Sequence, residues 1–150
     1  MDTDDDRGGE EIPRLGRLLE RDAGPAAAED RHQALAATLE AQGDLAGAVA
    51  QLEEARKADG GNVAVLFALG RLYLLRHDLE PAARALRSLL LLKLDGIPRV
   101  HKADVYCLLA RIHVEKGEPR KALSMAARGL ESKPDHQDCK SLVENLERSA

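Results

Sequence analysis

Three groups of residues in this sequence have the types and spacing to do chemistry. The first is "DTDDD", Asp2 to Asp6, whose clustered carboxylates invite a calcium ion. A calcium loop of the helix-loop-helix kind needs acids at positions 1, 3 and 5, Gly at 6 and Glu at 12. Counting from Asp2, those last two places hold Arg7 and Pro13, so the stretch reads as a solvated acidic tail. The second group is "HQDC", where His136 and Cys139 stand three apart and share one face of a helix. Zinc would need two further ligands, and His101, Cys107 and His113 are the only candidates. His113 falls on a packing position, so the expected arrangement is a buried cysteine and a surface histidine, with no metal. The third is a pair of arginines, Arg71 and Arg111, each able to grip a carboxylate with two parallel hydrogen bonds. No nucleophile motif, phosphate loop or His-Glu-x-x-His zinc motif is present. The other carboxylates scatter over helix surfaces, so we expect no enzyme, no catalytic residues and no cofactor.

Composition narrows the partners. The first eleven residues carry six acids and one arginine, a charge of −5, against −4 for all 150 residues, so the remainder stands near +1. The acidity belongs to the tail. Basic residues are mixed with acids and lack interleaved aromatics, which excludes a nucleic-acid surface. No apolar run, Leu89 to Leu92 included, approaches the ~20 residues that cross a bilayer. An acidic start with no apolar stretch behind it is not a secretory signal. Two cysteines make no disulfide framework, which points to a reducing cytoplasm. Aromatics are 2% of the chain, so Leu, Ala and Val must form the core, and these favour helix over sheet.

The elements that position these residues repeat. Ala48, Ala82 and Ala122 follow helix breaks at Gly43, His77 and Gly117, at spacings of 34 and 40 residues. Ala36, Gly70 and Ala110 keep those spacings, as do Leu35, Leu69 and Leu109. Helices are expected at about 26–42, 45–58, 63–76, 79–94, 103–116, 119–132 and 136–149. Residues 1–11 read as disordered, and residues 12–150 as one domain opened by a short amphipathic helix ending at Gly24-Pro25. The six extra residues lie in "DGIPRVHK", within a longer helix and loop packed on itself. The stripe Cys139, Leu142, Val143 and Leu146 marks a last helix, 137–149. Glu144 falls there at a small-residue position, so this helix reads as a cap and not a fourth repeat.

"LFALGRLY" (Leu66 to Tyr73) with Ala82, and "YCLLARIH" (Tyr106 to His113) with Ala122, Gly129 and Pro134, resemble the tetratricopeptide repeat pattern. Three units, about 29–62, 63–96 and 103–136, fit it in register; the first is the weakest, with His32 and Gly60 replacing a large residue and the proline. The resemblance implies an all-α, right-handed solenoid whose first helices line a concave groove. It assigns to that groove Asp30, Gln33, Ala37 and Glu40, then Ala64, Phe67, Arg71, Leu74 and Leu75, then Asp104, Cys107, Leu108, Arg111 and Glu115. The expected binding residues are Phe67, Arg71, Leu74, Leu75, Cys107, Leu108 and Arg111. The family's carboxylate clamp would fall on Gln33, Ala37, Ala68, Asp104 and Leu108, which lack its Lys and Asn, so a chaperone tail is not the expected ligand. The expected function is a cytoplasmic protein-interaction module or scaffold that binds a peptide or helix, an acidic one included. The alternative is a structural component that self-associates through its repeat ends.

Overall fold

A computed structural model describes residues 30–97 and 99–149. Within them run seven helices and no strand: α1 (residues 30–41), α2 (Leu45–Ala58), α3 (Val63–Leu75), α4 (Leu79–Leu90), α5 (Lys102–Glu115), α6 (Pro119–Ser132) and α7 (Gln137–Ser149). The expected acidic tail, the short amphipathic helix and the first residues of the 26–42 helix lie outside the described residues.

Three of the helix pairs turn in the same way. After α1, α3 and α5 the chain enters the left-handed region at Gly43 (φ 83°), His77 (φ 60°) and Gly117 (φ 73°). The residue beyond each donates its N–H five residues back, from Asp44 to Leu39, Asp78 to Tyr73 and Glu118 to His113, all at 2.8–2.9 Å. This double-bonded helix end satisfies the last carbonyls and sends the chain straight into an antiparallel helix. Glycine suits it because it lacks the Cβ that penalises positive φ. His77 holds the same place without being glycine; its Nδ1 lies 3.0 Å from Glu115 Oε2, a bond across repeats.

From α2 onward each helix packs on its chain neighbours, and α3 also meets α5 while α5 meets α7; α1 joins α2 and α3 through the core around Ala36. That ladder is a solenoid: the odd helices form one layer and the even helices the other. The small residues sit where the layers touch. Ala48, Ala82, Ala110 and Ala122 are wholly buried. A Cβ on Gly70 would stand 2.6 Å from Leu86 Cδ2, and one on Gly129 2.6 Å from Cys139 Sγ. The Tyr73 hydroxyl donates to Glu53 at 2.7 Å, tying α3 to α2; burial and that carboxylate push its pKa to about 12.

The long connection departs from expectation in one respect. The helix expected to reach residue 94 ends at Leu90, where Leu91 and Leu92 donate only three residues back. The following residues serve the core as a loop: Leu94 and Val100 are buried, and Leu92 and Ile97 pack beside them. The apolar run predicted a longer helix because it shows no period to distinguish helix from a buried loop. His101 then caps α5. Its Nδ1 accepts from Ala103 N–H at 3.0 Å, while Asp104 accepts from its own N–H at 2.9 Å.

Candidate binding groove

The layer of odd helices carries a concavity of about 460 Å³ between α3, α5 and α7. Phe67 and Arg71 come from α3, Cys107, Leu108 and Arg111 from α5, and Ser141, Leu142 and Asn145 from α7. These positions are equivalent. Phe67, Cys107 and Ser141 are separated by the repeat spacings of 40 and 34, as are Arg71, Arg111 and Asn145. A helix that returns to the same orientation every repeat must point such residues into one space.

Of the residues expected to bind, Phe67, Arg71, Cys107, Leu108 and Arg111 line this groove. Leu74 does not: it is 2% exposed and belongs to the core shared by α3, α4 and α5. Leu75 is 47% exposed and lies outside the groove lining. The α7 contribution, Asp138, Ser141, Leu142 and Asn145, was not expected. Its signal was in the sequence, since these residues follow Asp104, Cys107, Leu108 and Arg111 by 34.

The two arginines differ. Arg71 forms a two-pronged ion pair with Glu40 of α1, Nη1 to Oε1 and Nη2 to Oε2, the latter at 2.9 Å. Its hydrogen bonds hold the Glu40 carboxyl below its ordinary 4.5. Arg111 has no ion pair among the described residues. Glu115 is taken by His77, and Asp104 by His136 at 2.6 Å. Among the described residues Asp138 is the groove's other charge without an ion pair.

Arg71→Ala should therefore cost under about 1 kcal/mol, because both partners are partly exposed and screened by water. The folded pKa of Glu40 is lowered, so the pair stabilises above pH 4.5 and its contribution fades as pH falls through that lowered value. Urea midpoints of the wild type and Arg71→Ala should converge as the pH is lowered through the depressed Glu40 value. A gap of constant size would mean that the pair contributes through packing alone.

Beneath the groove, Cys107, His136 and Cys139 come together, each buried, with their ligand atoms within 4.8 Å of one another. The expected surface histidine is thus 8% exposed. Its Nε2 meets Asp104, and its Nδ1 accepts the Cys139 N–H at 3.2 Å, capping α7. His101 caps α5 and His113 sits 3.7 Å from Glu118, so neither joins the cluster. Desolvation, and then the neighbouring Cys139, push the Cys107 thiol up to about 12. At neutral pH it is protonated, so it is not a poised nucleophile.

Residues 39–105 match the family described as Tetratricopeptide repeat. No curated protein sequence matches the chain. Among solved structures, MamA is similar at a TM-score of 0.70 and 19% identity, over 83% of this chain and 64% of that one. The second repeat domain of human RPAP3, solved in complex with an HSP70 peptide, gives 0.71 and 16% over 83% and 98%. PilF of Pseudomonas aeruginosa gives 0.73 and 18% over 96% and 63%. The chain spans just under two thirds of the MamA and PilF chains. At such identities the likeness establishes the fold, a solenoid of helical repeats. Among the described residues no helix is long and apolar enough to cross a membrane.

Proposed function

Since the chain folds as a tetratricopeptide-repeat solenoid, we propose that it is a non-catalytic, cytoplasmic protein-interaction module. It takes a peptide or helical segment of a partner protein in the groove between α3, α5 and α7. The observation that carries this reading is Arg111, a cation without an ion pair among the described residues, standing in one cavity with the apolar side chains of Phe67, Leu108 and Leu142. A cavity of this size and mixed lining suits a few side chains of a docked segment. The preferred segment carries a large apolar residue for Phe67 and an acidic group for Arg111. Arg71 contributes less, because it must first give up Glu40. That RPAP3 was solved with a peptide supports the reading at the level of what such a fold accommodates.

The test starts with selection of peptides from a random display library on the intact chain. The best sequence is then synthesised, and its binding measured by fluorescence anisotropy over a salt series. Arg111→Ala should weaken binding about tenfold or more and flatten the salt dependence. Phe67→Ala should weaken binding without changing the salt slope. Arg111→Ala should melt as the wild type does, whereas Phe67→Ala, whose ring also packs against the core of α3, α4 and α5, should melt lower but stay folded at the assay temperature. Peptides without an acidic residue, or binding indifferent to both substitutions, would overturn the proposal.

A further inference from the structure

The geometry points to a zinc site at the floor of the groove, built from Cys107 of α5 and His136 and Cys139 at the start of α7. Two thiols and an imidazole are the donor set that soft divalent zinc takes. Ligand atoms within 4.8 Å of one another need to draw in only modestly around one ion, since tetrahedral zinc–sulfur and zinc–nitrogen bonds of about 2.3 and 2.0 Å set neighbouring donors roughly 3.5–3.8 Å apart. The three residues are already buried, so the ion would sit in a prepared place and not on an exposed surface.

Asp104 supplies the supporting interaction. Its Oδ1 holds His136 Nε2 at 2.6 Å, while its other oxygen accepts the His101 N–H. A carboxylate on one ring nitrogen fixes the proton there and leaves the other nitrogen's lone pair for a metal. His136 Nδ1 is then the ligand. It now accepts the Cys139 N–H at a long 3.2 Å, a bond given up on coordination, as is the weak Cys139 Sγ–Ala103 carbonyl bond at 3.6 Å. Each thiol releases its proton to solvent as its sulfur binds, so one zinc ion displaces two protons. Cys107 and His136 also line the groove, so the fourth position is reached from there, by water or by a donor from a bound segment. The site does not depend on the peptide reading, because all its protein ligands come from this chain.

The test uses the full chain, reduced and stripped of metal by chelator. Cobalt titration should give a thiolate-to-cobalt charge-transfer band and strong tetrahedral visible bands, saturating at one ion per chain, and zinc should abolish them. Zinc should also raise the melting temperature. Cys107→Ser and Cys139→Ser should each remove the charge-transfer intensity of one sulfur and weaken zinc binding at least tenfold. Asp104→Asn, which keeps both thiols, should weaken it about 10–100-fold. Folded, reduced wild-type protein that shows no charge-transfer band overturns the site, whatever becomes of the cysteine variants. So does a band that survives loss of both thiols, or a Cys107–Cys139 disulfide that forms in air while no metal binds after reduction.

Discussion

Gly70→Leu is expected to destabilise the fold by about 3 kcal/mol or more. Its first added carbon would lie 2.6 Å from Leu86 Cδ2 and 2.7 Å from Leu86 Cγ. Leu86 is wholly buried in the core that binds α3, α4 and α5, so it has nowhere to move. A close-packed interior forces such an insertion into off-rotamer side chains or a shifted helix. Removing a helix glycine returns only about 0.5–1 kcal/mol of backbone entropy, too little to offset this. Ala110→Leu and Ala122→Leu, at wholly buried positions, should cost about 1–3 kcal/mol each. Ala127→Leu on the exposed side of α6 should stay within about 0.5 kcal/mol. Urea denaturation separates these cases. If Gly70→Leu proves as mild as Ala127→Leu, the close approach of α3 and α4 is wrong.

Deleting residues 137–150 should lower stability by about 4 kcal/mol or more and cause self-association. The deletion removes wholly buried Cys139 and the half-buried Leu142, Val143 and Leu146. Burying a large apolar side chain contributes about 1.5–3 kcal/mol when complete, so this partly buried stripe adds up to several. It also bares the surface around Gly129 and Tyr106, an apolar patch with no other cover among the described residues. The same deletion removes the α7 wall of the groove. Denaturant melts and light scattering over a dilution series read both effects. A truncated chain that stays monomeric with an unchanged midpoint would show that α7 neither covers nor supports the repeats.

The repeats were legible because close helix packing leaves a mark that composition cannot hide. Where two backbones approach, only Ala or Gly fits, so Ala48, Ala82 and Ala122 recur at the repeat spacing. The glycines of the turns left a similar mark, and register let His77 be read in the same role despite its side chain. Other features had no one-dimensional signature. Leu74 falls in the groove by register and stands two turns beyond Phe67 on the same side of α3, but there the core shared by α3, α4 and α5 encloses it. The end of α4 fell inside an apolar run with no period. The pairing of Arg71 with Glu40 spans 31 residues, and that of His136 with Asp104 spans 32. Spacing near one repeat allows such pairs without selecting them from their neighbours. His136 was expected at the surface because a lone histidine after a proline turn usually stays there; two hydrogen bonds and a pair of thiols hold it inside.

The central claim is that ligands enter between α3, α5 and α7. Its most direct test is an amide chemical-shift map of the isotopically labelled chain, titrated with the selected acidic peptide. The largest perturbations should fall on Phe67 and Arg71, on Asp104 through Arg111, and on Asp138 through Asn145, with α4 and α6 nearly silent. Perturbations concentrated on the even helices or on the loop from Leu91 to Val100, with the odd helices unmoved, would contradict it.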